Sequence, residues 1–404
     1  MAEAISSPET RDFSAGRRWV APPNSLQASV LLAFLSSAGL YYVNIFPAIT
    51  NALMEGAGLS TVEAGQITSA NAMGAAFGAF AVTLLIRRIP HWKMASVALL
   101  LGLICIDILT IMQESTNILV PLRFGHGFIG GSLVGLGFSV IARTARPSVA
   151  FSLLLVCQYG GGALGLWLLP PLVPSYGPYV PFYALIIFCL VTLSMIPFLA
   201  AYPLPEKKAT TSGTTASAAK IRVFPLGLTL LALFFFQAAN MALFAFIFGL
   251  GEHFGLTIEF MSPTIGIANI IAIGGAVLAA YTGIRYKLLK PLAFALICSA
   301  LGTLIFLFSD SPVIYLIANC VTGVAWAFCI PYLLTMSAKF DEAGQMAALG
   351  GFASKMGLAS GPIAAGYLLA TDGSYPLLIV MAAGVIIACL LIAFHPARDL
   401  DAQI

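Results

Sequence analysis

Apolar runs of about 20 residues recur twelve times along this chain of 404 residues. A helix needs about 20 apolar residues to cross the hydrocarbon core of a bilayer. Only 9% of the residues are charged, whereas about a quarter are charged in an ordinary soluble domain, so a soluble fold could not cover its surface with polar groups. The sequence therefore predicts an all-α membrane protein with twelve transmembrane helices. The predicted spans 1 to 12 cover residues 26–49, 62–86, 93–112, 117–142, 148–172, 177–201, 223–249, 258–283, 289–308, 312–337, 345–369 and 375–394.

The basic residues test this count of spans. With twelve spans, 17 of the 19 Lys and Arg residues fall at one end of the bundle, the basic end, while the loops at the other end, the acidic end, carry carboxylates instead. The positive-inside rule places the basic end in the cytoplasm. We therefore expect a multi-pass protein of the cell (inner) membrane with both termini cytoplasmic. The basic end holds Arg11, Arg17, Arg18, Arg87, Arg88, Lys93, Arg143, Arg146, Lys207, Lys208, Lys220, Arg222, Arg285, Lys287, Lys290, Lys339 and Arg398, and the acidic end holds Glu55, Glu63, Glu114, Glu252, Glu259, Asp310 and Asp372.

The two halves of the chain repeat each other. A polar, Ser/Thr/Ala-rich stretch at 203–222 lies near the middle and has the composition of a flexible linker. We therefore expect an N-terminal six-helix bundle at 1–202, a cytoplasmic linker at 203–222 and a C-terminal six-helix bundle at 223–404. A shift of 196 residues aligns Asn44 with Asn240, Arg123 with Asn319, Gly127 with Gly323, Gly161 with Gly357 and Gly165 with Gly361, and a shift of 198 aligns Asn71 with Asn269.

With these features the chain resembles the major facilitator superfamily of secondary transporters over nearly its whole length. The layout of six plus six spans carries most of the resemblance. Span 4 also reads Arg123-Phe-Gly-His-Gly127, where the family has an Arg followed four residues later by a Gly. The resemblance implies two pseudo-symmetric bundles that rock about a site near the midplane and open it to one side at a time. It also implies a small-molecule substrate that is moved without ATP.

Two motifs of that family are altered in this chain. Span 5 lacks the Gly-Pro signature of drug antiporters, and Gly361-Pro362 stands on span 11 instead. The loop between spans 2 and 3 keeps its basic cluster at Arg87 and Arg88 but lacks the usual acidic residue before it. These motifs occur in importers and exporters of very different molecules, so the substrate class and the direction of transport stay open.

Two cations lie inside predicted spans and require partners. Arg123 is about six residues into span 4, and Lys355 is about ten residues into span 11. A cation at the bilayer centre costs about 2.5–3.5 kcal/mol on insertion scales, so such residues face the interior of the bundle. Because each half supplies one cation, the sequence predicts an organic anion bound by Arg123 and Lys355. Alternatively, Arg123 organises helix contacts, and Lys355 pairs with an acid or extends to the interface.

Other polar residues complete the predicted site. His126 and Asp107 are candidates to carry a coupling proton, because a histidine titrates near neutral pH and a buried carboxyl can exchange a proton. A hydrogen-bonded interior histidine and an aspartate at the outer interface are the structural alternatives. The remaining predicted substrate-binding residues are amides and aromatics on expected interior faces: Tyr41, Asn44, Gln158, Gln237, Asn240, Asn269 and Trp326.

The sequence argues against other classes of protein. It contains no HExxH, nucleotide-binding loop or GxSxG motif, and its seven cysteines stand singly in apolar runs. We therefore expect no enzyme activity, no catalytic residues, no metal and no cofactor, in a monomer that binds a small molecule, H+ and the lipid bilayer but no nucleic acid. Two transport functions stay open: proton-coupled symport of a small organic anion, and carriage or export of a neutral polar or drug-like solute. A channel and a receptor on the same fold are further alternatives.

Overall fold

Helices account for all regular structure in the computed structural model, which describes residues 19–113, 115–202, 222–340 and 345–402. Most of the predicted linker therefore lies outside the described residues, as do the first 18 residues. Ten of the helices are long and apolar enough to cross a membrane. These are spans 2 to 10 and span 12, at Thr61–Leu85, Trp92–Ile111, Thr116–Ile141, Pro147–Tyr176, Val180–Phe198, Val223–Ala245, Ile258–Gly283, Leu289–Phe308, Pro312–Lys339 and Tyr375–Asp401.

Spans 1 and 11 complete the twelve and differ from the other ten. Span 1 is divided into Leu26–Ala38, Tyr41–Asn44 and Phe46–Asn51, and a π-helical turn at Ala52–Gly56 follows. Span 11 is one continuous helix at Gln345–Asp372 and is the least apolar of the long helices. The count of twelve spans is therefore consistent with the structure, although two of the spans have weaker apolar character.

Spans 1 and 7 break in the same way. The short helix Ile247–His253 continues span 7 at the acidic end. Phe246 at this break has φ −108° and ψ 21°, and Ile45 in span 1 has φ −109° and ψ 21°. Neither residue is a Gly or a Pro, so the residue type at these positions does not predict a break in the helix. The two halves thus repeat each other in backbone conformation as well as in sequence.

Each half closes on itself at the basic end through residues at or just after the end of its last span. In the C-terminal half, the Asp401 carboxylate accepts the backbone N–H groups of Leu288 at 2.7 Å and Leu289 at 3.0 Å. In the N-terminal half, Arg143 donates to the carbonyl oxygen of Tyr202 at 3.0 Å. Span 12 continues as helix to Asp401, seven residues beyond the predicted end at 394, and its last turn holds the start of span 9.

Glycines let helices of the same half approach closely. A Cβ atom at Gly127 of span 4 would overlap the carbonyl oxygen of Asn71 in span 2, and one at Gly131 would overlap that of Ala75. Small residues at four-residue spacing allow such contacts between membrane helices. In the C-terminal half, Gly275 of span 8 packs in the same way on the backbone of span 10.

The two halves meet near the acidic end. Ile363 of span 11 donates its backbone N–H to Ser69 Oγ of span 2 at 2.9 Å. Thr61 Oγ1, at the first residue of span 2, donates to the carbonyl oxygen of Gly366 at 3.0 Å, within the last two turns of span 11. These bonds join the first third of span 2 to the last third of span 11, so they hold the bundle closed at the acidic end.

Candidate functional site

A cavity of about 330 Å³ lies between the two halves. Ligand pockets commonly have volumes of about 300–1,000 Å³, so this one suits a small solute. Most of its wall comes from spans 1, 5, 7, 8 and 10, and none of the described residues that line it is charged. The polar lining residues are Asn44, Gln158, Tyr159, Asn240, Asn269, Thr303, Asn319 and Thr322, and the aromatic ones besides Tyr159 are Phe244, Phe306 and Trp326.

Most of the predicted amides and aromatics reach this wall. Gln237 lies behind it and accepts a hydrogen bond from Trp326 Nε1 at 2.7 Å, while its own Nε2 donates to Ser354 Oγ at 2.8 Å. Tyr41 does not line the cavity, since its ring stacks on Phe188 with centroids 4.6 Å apart. The predicted residues that lie on the wall are Asn44, Gln158, Asn240, Asn269 and Trp326.

The amides on the wall differ in their hydrogen bonds. Asn240 donates to the carbonyl oxygen of Phe236 in its own helix at 2.8 Å, and Asn319 bonds its own helix in the same way. The buried Nδ2 of Asn44 has no partner among the described residues. A buried donor without an acceptor destabilises the folded protein, and a ligand that supplies an acceptor removes this penalty. The side chain of Asn44 is therefore available to a solute.

Arg123 does not line the cavity and lies in a buried ion pair instead. Its Nη1 is 2.8 Å from Oδ1 of Asp107, and both side chains are fully buried. Its Nη2 donates to the carbonyl oxygen of Ile106 at 3.1 Å and to Thr110 Oγ1. The ring of Phe182 lies 5.2 Å from the guanidinium carbon. The charge of Arg123 is thus compensated within the N-terminal half, by spans 3 and 6.

His126 belongs to the same cluster. Its Nε2 is 3.3 Å from Oδ2 of Asp107, and its Nδ1 is 2.8 Å from Nδ2 of Asn71. That amide nitrogen also donates to the carbonyl oxygen of Arg123 at 3.3 Å, which can only accept. Nδ1 must therefore accept from Asn71, so His126 is the neutral tautomer with its proton on Nε2, facing Asp107. The cluster of Asp107, Arg123, His126 and Asn71 is neutral overall.

Lys355 is the second predicted cation and lies in span 11 without lining the cavity. Its side chain is partly buried, and it has no hydrogen-bond or ion-pair partner among the described residues. Its neighbour Ser354 receives the hydrogen bond of Gln237. Leu358, three residues further along the helix, does line the cavity. The structure thus keeps the two cations apart: one is paired in the N-terminal half, and the other, in the C-terminal half, has no partner in the described part of the chain.

Several residues of the site were not predicted from the sequence. Thr110 bonds Arg123, and its position three residues after Asp107 on the same helical face is a signal that could have identified it. Tyr159, Thr303, Phe306 and Thr322 line the cavity, but polar and aromatic residues of this kind also occur on surfaces that face lipid. Within the described residues, no group of three or more His, Cys, Asp or Glu side chains is placed to hold a metal.

Comparisons with known proteins agree with this architecture. The family model of the Major Facilitator Superfamily matches residues 29–362, whereas no individual curated protein matches significantly. The crystal structure of the nucleoside transporter NupG is similar with a TM-score of 0.75 at 13% identity, covering 93% of this chain and 99% of that one. The crystal structure of a D-xylose-proton symporter has a TM-score of 0.70 at 13% identity, covering 90% of this chain and 96% of that one.

At such low identities the two structures establish a common fold only. They confirm the predicted all-α architecture of two pseudo-symmetric bundles. The family match makes the chain a multi-pass membrane transporter and not an enzyme. The chain belongs to the Major Facilitator Superfamily.

Proposed function

We propose that this protein is a secondary active transporter of a small neutral polar solute that carries a ring or another flat apolar face. The observation that supports this most directly is the wall of the cavity, which contains both amides and aromatic rings and on which no described lining residue is charged. Arg123, one of the two cations inside predicted spans, is already paired with Asp107. A neutral solute requires no countercharge from the protein.

The groups on the wall suit such a solute chemically. Side-chain amides donate to and accept from hydroxyl, carbonyl and ring N–H groups. Trp326 and Phe244 offer faces on which a flat ring can stack, and the bond from Trp326 to Gln237 fixes the orientation of the indole. NupG is a nucleoside transporter and the second similar structure is a D-xylose–proton symporter, so both carry neutral polar ring compounds.

The coupling ion in this proposal is a proton that binds at the cluster of Asp107 and His126. A proton on Asp107 would remove the negative charge that attracts Arg123 and that faces Nε2 of His126 at 3.3 Å. The ring of Tyr42, which lies 5.5 Å from His126, is two residues before Asn44 on the cavity wall. Protonation can therefore act on span 1, which contributes to both sites.

The cycle in this proposal is alternating access between two bundles that rock about the cavity. The protein acts as a monomer in the cell (inner) membrane, with the basic end and both termini in the cytoplasm, as the distribution of Lys and Arg favours. Closure at the acidic end through Ser69 and Thr61 would then be closure on the outer side of the membrane.

A second candidate function is transport of an organic anion, and Lys355 favours it. An ammonium group in a membrane helix without a described partner is available for a carboxylate or phosphate. In this case the anion would bind in the C-terminal part of the cavity near Leu358. Arg123 would take no direct part, because it does not line the cavity and its Nη1 and Nη2 groups already donate to Asp107, Thr110 and the carbonyl oxygen of Ile106.

Ligand-induced thermal stabilisation distinguishes the two candidates, because a ligand that binds only the folded state raises the melting temperature by mass action. The panel is uridine, D-xylose, succinate and benzoate, tested on the purified full-length protein. We expect uridine or D-xylose to stabilise it, and Asn44→Ala to abolish the shift. Asn117→Ala is the matched control, because Asn117 is exposed near the acidic end away from this cavity.

Uptake into proteoliposomes then tests transport and coupling. The stabilising compound should accumulate faster under an imposed proton gradient, and the gradient should have no effect on Asp107→Asn. Stabilisation by succinate or benzoate alone, lost in Lys355→Met and retained in Lys355→Arg, would support the anion candidate instead. If no compound of either class stabilises the protein or moves, both candidates are wrong.

A further inference from the structure

We infer that Asn269 of span 8 links the occupancy of the cavity to closure of the bundle between spans 5 and 8. Its side chain lines the cavity and also donates to the carbonyl oxygen of Tyr159 in span 5 of the opposite half, at 3.4 Å. The inference rests on the proposed function in assuming that a solute enters this cavity. Its first test nevertheless needs no solute.

Asn269 stands apart from the other amides of the wall. Asn240 and Asn319 bond carbonyl oxygens of their own helices, so rocking of the two halves leaves those bonds intact. Asn44 has no partner for its Nδ2 among the described residues. The bond of Asn269 crosses from one half to the other, so any separation of spans 5 and 8 breaks it.

The internal repeat makes this asymmetry clear. Asn269 aligns with Asn71 of span 2, yet Asn71 donates to His126 and to the carbonyl of Arg123 within its own half. Tyr159, whose carbonyl Asn269 holds, aligns with Lys355 under the shift of 196 residues. If the halves were symmetric here, Asn71 would bond span 11, as Asn269 bonds span 5. Its amide nitrogen instead bonds Arg123 and His126 of the charged cluster. Only one member of this pair of asparagines joins the halves.

The packing around Asn269 depends on two glycines. A Cβ atom at Gly162 of span 5 would lie 2.7 Å from Asn269 Nδ2 and 3.2 Å from Asn44 Cβ. A Cβ atom at Gly266 of span 8 would lie 2.9 Å from the carbonyl oxygen of Ala163. Contacts this short require one partner to move. The two glycines thus leave room for spans 5 and 8 to approach where Asn269 bonds Tyr159.

A solute can compete for the same amide. The bond of 3.4 Å is longer than the usual 2.7–3.2 Å, so exchanging it costs less than exchanging a short bond. A hydroxyl or carbonyl oxygen of a solute beside Tyr159 would offer Asn269 a new acceptor, and one bond between the halves would be lost. Solutes with an acceptor at this place should therefore promote separation of the halves, and analogues that lack it should bind without promoting it.

The first experiment measures closure without any solute. Spin labels at Ala57→Cys and Thr257→Cys lie on exposed loop residues of opposite halves at the acidic end, in full-length protein that also carries Cys105→Ser. Electron paramagnetic resonance gives the distribution of distances between them. We expect Asn269→Ala and Gly162→Ala each to raise the long-distance population about two- to threefold, the lower end of the effect of losing one hydrogen bond, because this bond is long.

Two matched controls accompany these variants in the distance measurement. Asn240→Ala removes a wall amide that bonds only its own helix. Gly160→Ala adds a methyl group to span 5 where no atom lies within 4 Å. Neither should change the distances. If Gly162→Ala does not fold, Asn269→Leu replaces it, since leucine keeps the volume and removes the donor.

Unchanged distances in Asn269→Ala, or equal changes in Asn269→Ala and Asn240→Ala, would overturn the inference. In a second measurement, uridine and D-xylose are added. Whichever probe stabilises the protein should lengthen the distances in the wild type and should produce no further lengthening in Asn269→Ala. Failure of both probes to bind counts against the proposed function, while the distances without solute still decide the role of Asn269 in closure.

Discussion

Arg123 Nη1 and Asp107 Oδ1 lie 2.8 Å apart, with both side chains fully buried between spans 3 and 4. Removing one member of such a pair leaves an uncompensated charge inside the protein, which costs about 3–5 kcal/mol. We expect Asp107→Ala and Arg123→Ala each to lower the free energy of unfolding by about this amount. The double variant should lose less than the sum, because no lone charge remains. Unfolding in mixed micelles measures all three, and strictly additive losses would contradict the pairing.

The tautomer of His126 can be observed directly. Asn71 donates to Nδ1, so the proton of the neutral ring belongs on Nε2, next to Asp107. Nitrogen-15 NMR of histidine-labelled protein should show this tautomer for His126. In Asn71→Leu the donor is gone, and a mixture of tautomers should appear. A protonated Nδ1 in the wild type would show that the amide of Asn71 is oriented the other way.

Two adjacent glycines of span 8 provide a test of helix packing. A methyl group at Gly275 would overlap the carbonyl oxygen of Val324 in span 10, whereas one at Gly274 would meet no atom within 4 Å. Gly275→Ala should therefore destabilise the protein by about 1–3 kcal/mol, the usual cost of overpacking. Gly274→Ala should be neutral or slightly stabilising. Thermal unfolding of the two variants side by side measures the difference, and equal melting temperatures would argue against the close crossing of spans 8 and 10.

The end of span 12 holds the start of span 9 through one carboxylate. Asp401 accepts two backbone N–H groups there, so Asp401→Ala should cost about 0.5–2 kcal/mol, as the loss of a helix cap does. The comparison variant is Asp399→Ala, which removes the exposed ion pair with Arg222 and should cost about 0–1 kcal/mol. A larger loss of melting temperature in Asp399→Ala than in Asp401→Ala would reverse the assignment.

The acidic end should respond to pH through Glu252, which lies beyond the membrane-spanning part of span 7. The residue reaches the surface, but its carboxyl group is partly buried. This burial, and then repulsion from Glu55, raise the pKa of Glu252 from 4.5 to about 7. Between these two values the folded state binds a proton that the unfolded state does not, so stability falls as pH rises.

The melting temperature should therefore decrease as the pH rises from about 4.5 to about 7, and this component should be absent in Glu252→Gln. Glu259→Gln is the comparison variant, because it removes another carboxylate at the same end. If Glu252→Gln and the wild type show the same pH profile, Glu252 does not titrate in this range.

Helix positions were predictable because the membrane imposes a length and a polarity on each span. The predicted span at 62–86 corresponds to Thr61–Leu85, and that at 312–337 to Pro312–Lys339. The breaks in spans 1 and 7 were not predicted, since Ile45 and Phe246 are residues that helices accept. They arise from packing against neighbouring helices, which no local pattern reports.

The site was predictable to a smaller extent. An amide in an apolar helix is costly to expose to lipid, so Asn44, Asn240 and Asn269 were expected inside, and they line the cavity. The orientation of the Arg123 side chain, toward Asp107 and away from the cavity, was not predictable. It depends on how spans 3 and 4 are rotated about their axes. The anion site predicted from Arg123 and Lys355 stays a proposal that now depends on Lys355.

By itself, the sequence determined that the helices lie in a lipid bilayer, how many spans there are, that they repeat, and which charge each end of the bundle carries. These properties follow from composition and from spacing along the chain. Only the tertiary structure decided which polar groups satisfy one another and which face the cavity. Asn71 and Asn269 are equivalent in the repeat, yet one holds His126 and the other holds Tyr159 of the opposite half. Their partners differ because hydrogen bonds depend on distances of a few ångströms between helices that are far apart in the chain.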